Sequence, residues 1–150
     1  MTWQAQLWLL GKVALALLLG GIIGYEREAA DKPAGFRTHM LVSGASALLV
    51  GMTEALLLRM DVTTGVTLSA DPIRIVESVI TGISFLGAGT IIHRREEQTV
   101  EGLTTAAAML FASAVGMVTA LEQIPLAVGG TILAVIVLRG MGILIERYEL

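Results

Sequence analysis

Residues 7–38 read LWLLGKVALALLLGGIIGYEREAADKPAGFRT, and this stretch decides the fold. Leu7 to Tyr25 is apolar apart from Lys12, and a bilayer crossing takes about 17–25 such residues. The run closes on Gly20-Gly21-x-x-Gly24 and then on the ionisable string Glu26-Arg27-Glu28. Asp31-Lys32-Pro33-Ala34-Gly35 follows, a turn punctuated by proline and glycine. Arg37-Thr38 then opens a second apolar run. The pattern is a helical hairpin across a membrane, with its polar residues gathered at the turn. Ionisable groups at membrane depth cost about a few kcal/mol each or more, so such strings mark an interior polar site or the water boundary.

The rest of the chain extends the same pattern. Of its 150 residues 55% are hydrophobic and only 15% charged, with a mean hydropathy of +0.78. Soluble domains run nearer 45–50% apolar and about 25% charged. Four further apolar runs cover Met40 to Leu58, Ile75 to Ile92, Leu103 to Leu121 and Ile124 to Ile145, the last interrupted by Arg139. The expectation is an all-α polytopic membrane bundle of about five transmembrane helices, one domain over residues 1–150. Trp3 and Trp8 suit an interfacial anchor for the first helix. With five crossings, one side collects Arg27, Lys32, Arg37, Arg94, Arg95 and Arg147. The positive-inside rule then places the N-terminus outside and the C-terminus in the cytoplasm.

A shift of 67 positions superposes the chain on itself. It aligns Leu19-Gly20 with Leu86-Gly87, Arg27 with Arg94, Gly35 with Gly102 and Thr38 with Thr105. The run Ala45-Ser46-Ala47 falls on Ala112-Ser113-Ala114. Each unit is a two-helix hairpin, and both enter the membrane in the same sense. Parallel repeats of this kind place sites at the interface between the copies.

Small residues crowd several helix faces: Gly20 and Gly24 in the first helix, Gly82, Gly87 and Gly89 around Phe85 in the third, and Gly35 and Gly102 at the turns. Glycine lets membrane helices approach closely. Phe85-Leu86-Gly87-Ala88-Gly89 is also compatible with an unwound segment whose carbonyls face an ion. Arg74 and Glu77, three apart, share a helical face and can pair, while Asp71 lies one turn earlier. The stripe reads either as a salt bridge or as a loose Mg²⁺ site on Asp71 and Glu77, since that ion keeps several waters and needs only one or two carboxylates. Across the first turn, Glu26 and Arg27 face Arg37 and Thr38. That arrangement is either a carboxylate–guanidinium clamp or a phosphate-recognition pair. Thr104 and Thr105 open the fourth helix, where hydroxyls cap free N–H groups or bond across helices.

Other chemistry is missing from the sequence. Without cysteine there is neither a disulfide nor a thiolate nucleophile. His39 and His93 border spans and read as solvated ends. Walker and dinucleotide fingerprints are absent, as is a basic run for nucleic acid. The chain is therefore expected not to be an enzyme.

The ordered strings GGIIGYEREAADKPAGFRT (Gly20 to Thr38), DPIRIVESVITGISFLGAGTI (Asp71 to Ile91) and GLTTAA (Gly102 to Ala107) resemble the MgtC/SapB family of bacterial inner-membrane proteins. The resemblance implies an inner-membrane protein tied to Mg²⁺ limitation and phosphate handling. It further implies a regulator or adaptor acting on partner membrane machines such as ATPases, with lipid and further copies of itself as other partners. The alternative is a transporter or channel for Mg²⁺ or another cation. Positions matching the motifs are Glu26, Arg27, Gly35, Arg37, Thr38, Asp71, Arg74, Gly82, Phe85, Gly87, Gly89, Gly102 and Thr105. Glu77, Ser84 and Thr104 depart from the family pattern, and the sequence reads as a short form without the C-terminal soluble domain of better-known members.

Overall fold

The computed structural model describes residues 2–64, 72–94 and 99–148, with side chains described over 2–53, 73–91 and 100–140. Five helices run in alternating directions: α1 (Trp3–Ala29), α2 (Phe36–Thr64), α3 (Pro72–Thr90), α4 (Leu103–Ala120) and α5 (Ile124–Tyr148). Between α3 and α4 lies a ribbon of β1 (Ile92–Arg94) and β2 (Thr99–Glu101), antiparallel with His93 opposite Val100. The ribbon lies between the third and fourth apolar runs. Over the described residues α1, α3 and α4 are each long and apolar enough to cross a membrane, and Ile124–Gly140 of α5 is a shorter apolar segment. Helix α5 continues through Arg139 without a break.

Local chemistry sets the helix ends. Thr2 caps α1 by accepting a hydrogen bond from the Ala5 N–H. The far end of α1 closes with Lys32 N–H on the Arg27 carbonyl and Asp31 N–H on that of Glu28, with Asp31 left-handed at φ 53°. Helix α4 ends the same way, with Gln123 and Glu122 bonded back to Val118 and Thr119 and Glu122 at φ 62°. Both are Schellman closures in which an acidic residue takes the place usually held by glycine. Gly102 starts α4 at φ +90°, and a side chain there would collide with the Thr90 carbonyl.

The core is the α1–α2–α4 seam. A Cβ added at Gly20 would lie 2.5 Å from the His39 carbonyl oxygen, and one at Gly24 2.8 Å from that of Gly35. Gly116 of α4 leaves no room for a side chain against the Ser43 backbone. Leu9 and Leu17 nest over Gly51 and Gly44. Ala16, Ala47, Ala112 and Ala120 have no exposed surface. With lipid outside as apolar as any side chain, close backbone approach and hydrogen bonds rather than hydrophobicity hold such helices together. Helix α5 packs on α1 and α4, while α3 rests mainly on α4.

Two close contacts recur in both hairpins. Gly20 meets His39 in the first, and Gly87 meets Ala106, the residue 67 places on from His39, in the second. Gly24 abuts Gly35, and its equivalent Ile91 abuts Gly102. Ser46 and Ser113, themselves 67 apart, join their hydroxyls at 2.9 Å between α2 and α4. Equivalent residues that touch one another are the mark of a two-fold relation between repeats.

Candidate functional site

Polar side chains collect where α1 turns into α2. Arg27, 4% exposed, donates from Nε to Glu26 Oε2 at 2.7 Å and from its terminal nitrogen to Oε1 at 3.0 Å. This bidentate pair between neighbours satisfies both charges, as a buried ion pair requires. Glu28 is the residue that crosses the hairpin: its Oε2 accepts the Phe36 N–H at 2.8 Å, capping α2, and it packs over Gly35. The clamp expected between Glu26–Arg27 and Arg37–Thr38 is therefore built differently. Arg37 and Thr38 point outward and are exposed, because positions 37 and 38 fall on the side of α2 away from α1.

One turn into α2, His39 is fully buried rather than solvated. Its Nδ1 lies 2.9 Å from the Gly35 carbonyl and must carry the proton to donate there. Nε2 is then an acceptor, and among the described residues both it and the Ser43 hydroxyl are buried without a hydrogen-bond partner. Arg27 and Glu26 lie near enough to act electrostatically on the ring. Ser46 completes the stripe, donating to the Val42 carbonyl at 2.8 Å. The spacing 39, 43, 46 is one helical face, and that periodicity, beside the Gly20 and Gly24 surface, was the available signal. Sequence reasoning also passed over Gly116.

The third helix departs most from expectation. Arg74 and Glu77 share a face, yet both are exposed and neither makes an ion pair among the described residues. An exposed pair of this kind gains only about 0–1 kcal/mol, too little to hold two long side chains together. Gly82 and Gly89 have nothing within 4 Å of an added Cβ, and Phe85 is 81% exposed. Only Gly87 of the predicted packing residues in this helix touches a neighbour, 3.2 Å from Ala106 Cβ. Asp71 lies outside the described residues. Among those described, no three acidic or histidine side chains converge on one point. In α4, Thr105 is buried and Thr104 exposed, and the Gly102 cap uses no side chain.

A second latch closes the opposite end. Lys12 Nζ reaches the last carbonyl turn of α4, donating to Ala120 O at 3.0 Å and pairing with Glu122 at 2.8 Å. Trp8 Nε1 donates to the same carboxylate at 3.1 Å. Hydrogen bonds from Lys12 first and Trp8 second hold the Glu122 carboxyl below its ordinary range.

Two parallel helical hairpins, sealed by glycine and serine and bearing a polar turn at one end, define a polytopic membrane protein of the tandem-hairpin type. The chain belongs to the MgtC family, whose family model matches residues 13–147. It is 37% identical over 130 residues to "Putative magnesium transporter YhiD" of Escherichia coli (strain K12), covering 85% of this chain and 57% of that protein. It is 37% identical over 119 residues to "Protein MgtC" of Salmonella typhimurium (strain LT2), covering 79% and 46%. A Haemophilus influenzae protein of unassigned role is 31% identical over 137 residues, covering 91% and 56%. The chain thus spans about half the length of the curated relatives it matches. No solved structure matches it.

Proposed function

We propose that this chain is a non-enzymatic regulator or adaptor in Mg²⁺ and phosphate homeostasis, acting on partner proteins of a bacterial inner membrane such as ATPases. Family membership and the word magnesium in the name of YhiD support the homeostatic setting. The observation that favours an adaptor over a conduit is the closed seam. Ser46 and Ser113 touch, Gly116 abuts the Ser43 backbone, and Ala47 and Ala112 have no exposed surface. A cation path along the repeat interface would need hydrated oxygens there. Glu77 faces outward from α3 instead.

On this reading the uncovered face of α3, with Arg74, Glu77, Gly82, Phe85 and Gly89, is where a partner helix or a second copy docks. The polar turn of Glu26, Arg27 and Glu28 holds the first hairpin in shape at the cytoplasmic surface, with the N-terminus outside. A transport reading draws on the same α3 face, since two copies meeting there would bring two Glu77 carboxylates together.

Mg²⁺ entry into sealed proteoliposomes containing only this protein separates the two readings. The adaptor reading predicts no flux above empty vesicles with inserted protein present. Saturable flux that Glu77→Ala abolishes would overturn it and make α3 a cation path.

A further inference from the structure

Outside the seam and outside α3, the apolar run of α5 carries an ionisable group of its own. Arg139 interrupts the apolar run of α5, is exposed, and makes no ion pair or hydrogen bond among the described residues. It lines an open crevice of about 420 Å³ between α1 and α5, together with Ile22, Tyr25, Glu26, Ala29 and Val135. A guanidinium at the polar boundary of a bilayer is a ready partner for an anionic headgroup. Glu26 lines the same crevice but is bound bidentately to Arg27 and makes no ion pair with Arg139. The crevice therefore carries a net formal charge of one positive unit, from Arg139.

Depth arranges the walls. Helices α1 and α5 run in the same direction, so Ile22 and Val135 lie about one turn deeper than Glu26 and Arg139. Tyr25 stands where the apolar run of α1 ends, the level of a bilayer's polar boundary, and its hydroxyl has no hydrogen-bond partner among the described residues. A guanidinium and a phenol thus sit at headgroup level over an apolar floor. We propose that this crevice binds an anionic glycerophospholipid. Arg139 grips the phosphate through paired N–H donors, Tyr25 adds a hydroxyl, and an acyl chain runs inward along Ile22 and Val135. The volume suits a glycerophosphate head and the start of a chain, within the 300–1,000 Å³ or so of small-molecule sites. Basic pockets between membrane helices hold anionic headgroups by this logic. By the arginine count the lipid belongs to the cytoplasmic leaflet. The proposal rests on the chain lying in a bilayer and not on the adaptor reading.

The test reconstitutes the full chain into vesicles of equimolar phosphatidylcholine and phosphatidylglycerol and counts retained lipids by native mass spectrometry. The wild type is expected to keep phosphatidylglycerol over phosphatidylcholine, and Arg139→Gln to lower that retention about five- to tenfold. Arg37→Gln, an exposed arginine near the same end of the bundle, is expected to leave it unchanged. Val135→Trp fills the crevice with Arg139 in place and is expected to expel the lipid, so a folding defect at position 139 cannot imitate the result. Equal loss in Arg37→Gln, no preference in the wild type, or retention in Val135→Trp would each overturn the proposal. Displacement of the lipid by millimolar glycerol phosphate would overturn the lipid source and assign the site to a soluble phosphate.

Discussion

Gly20 and Gly87 hold equivalent places in the two hairpins, and the two hairpins have opposite fates. Helix α1 is clasped by α2, α4 and α5, and its Gly20 and Gly24 meet backbone. Helix α3 rests on α4 through Val79, Ile83 and Gly87 and leaves Gly82, Phe85 and Gly89 bare. The same device, a small residue on an apolar helix, is spent on internal packing in one copy and left facing outward in the other. The asymmetry has a visible source in α5, which packs on α1 and α4. A repeat with an odd closing helix leaves one edge covered and its equivalent open.

The largest test of this contrast substitutes glycines on both sides. Gly20→Leu and Gly116→Leu drive a side chain into the backbone of α2 and are expected to cost about 3 kcal/mol or more. Gly87→Leu meets Ala106, its methyl first at 3.2 Å, and should cost about 1 kcal/mol, while Gly82→Leu should lie within about 0.5 kcal/mol of wild type. Unfolding in detergent reads the series. Equal losses at Gly20 and Gly82 would dissolve the contrast.

A smaller effect is expected at the join between repeats. Ser46→Ala and Ser113→Ala in a double-mutant cycle should show a coupling of about 0.6 kcal/mol, the usual worth of a hydrogen bond between membrane helices. Zero coupling would mean that the two hairpins meet by packing alone.

The smallest is a pH effect at the Lys12 latch. Glu122 has its folded pKa lowered from an ordinary value near 4.5, so the unfolded chain binds the proton more readily and stability rises with pH there. The latch contributes fully above pH 4.5 and is lost as pH falls through the lower folded value. Melting curves of wild type and Glu122→Gln should therefore diverge above that window and converge below it. Parallel curves throughout would remove Glu122 from the account.

Much of the fold was legible because its signals are local. Apolar runs of bilayer length, the Pro33–Gly35 turn and the shift of 67 residues need no knowledge of neighbours, and all five helices fall where those runs lie. The site was less legible. Glu28 rather than Arg37 crosses the hairpin, because a side chain at the end of α1 reaches the free N–H of Phe36 while position 37 faces away. His39 reads as a solvated end from its place beside charged residues, yet the glycine surface of α1 draws α2 close enough to bury it. Arg74 and Glu77 have pairing geometry, but both are exposed, where pairing is worth little.

By itself the sequence determined that this chain spans a membrane, how many helices it has and that they repeat. Those properties follow from transfer free energy and periodicity along one segment at a time. Tertiary structure alone decided which glycines are spent, which charges are satisfied and where Arg139 is left exposed. Whether a small or charged residue is covered depends on which helix lies across from it, α2 for Gly20, Gly24 and Gly116 and α4 for Gly87.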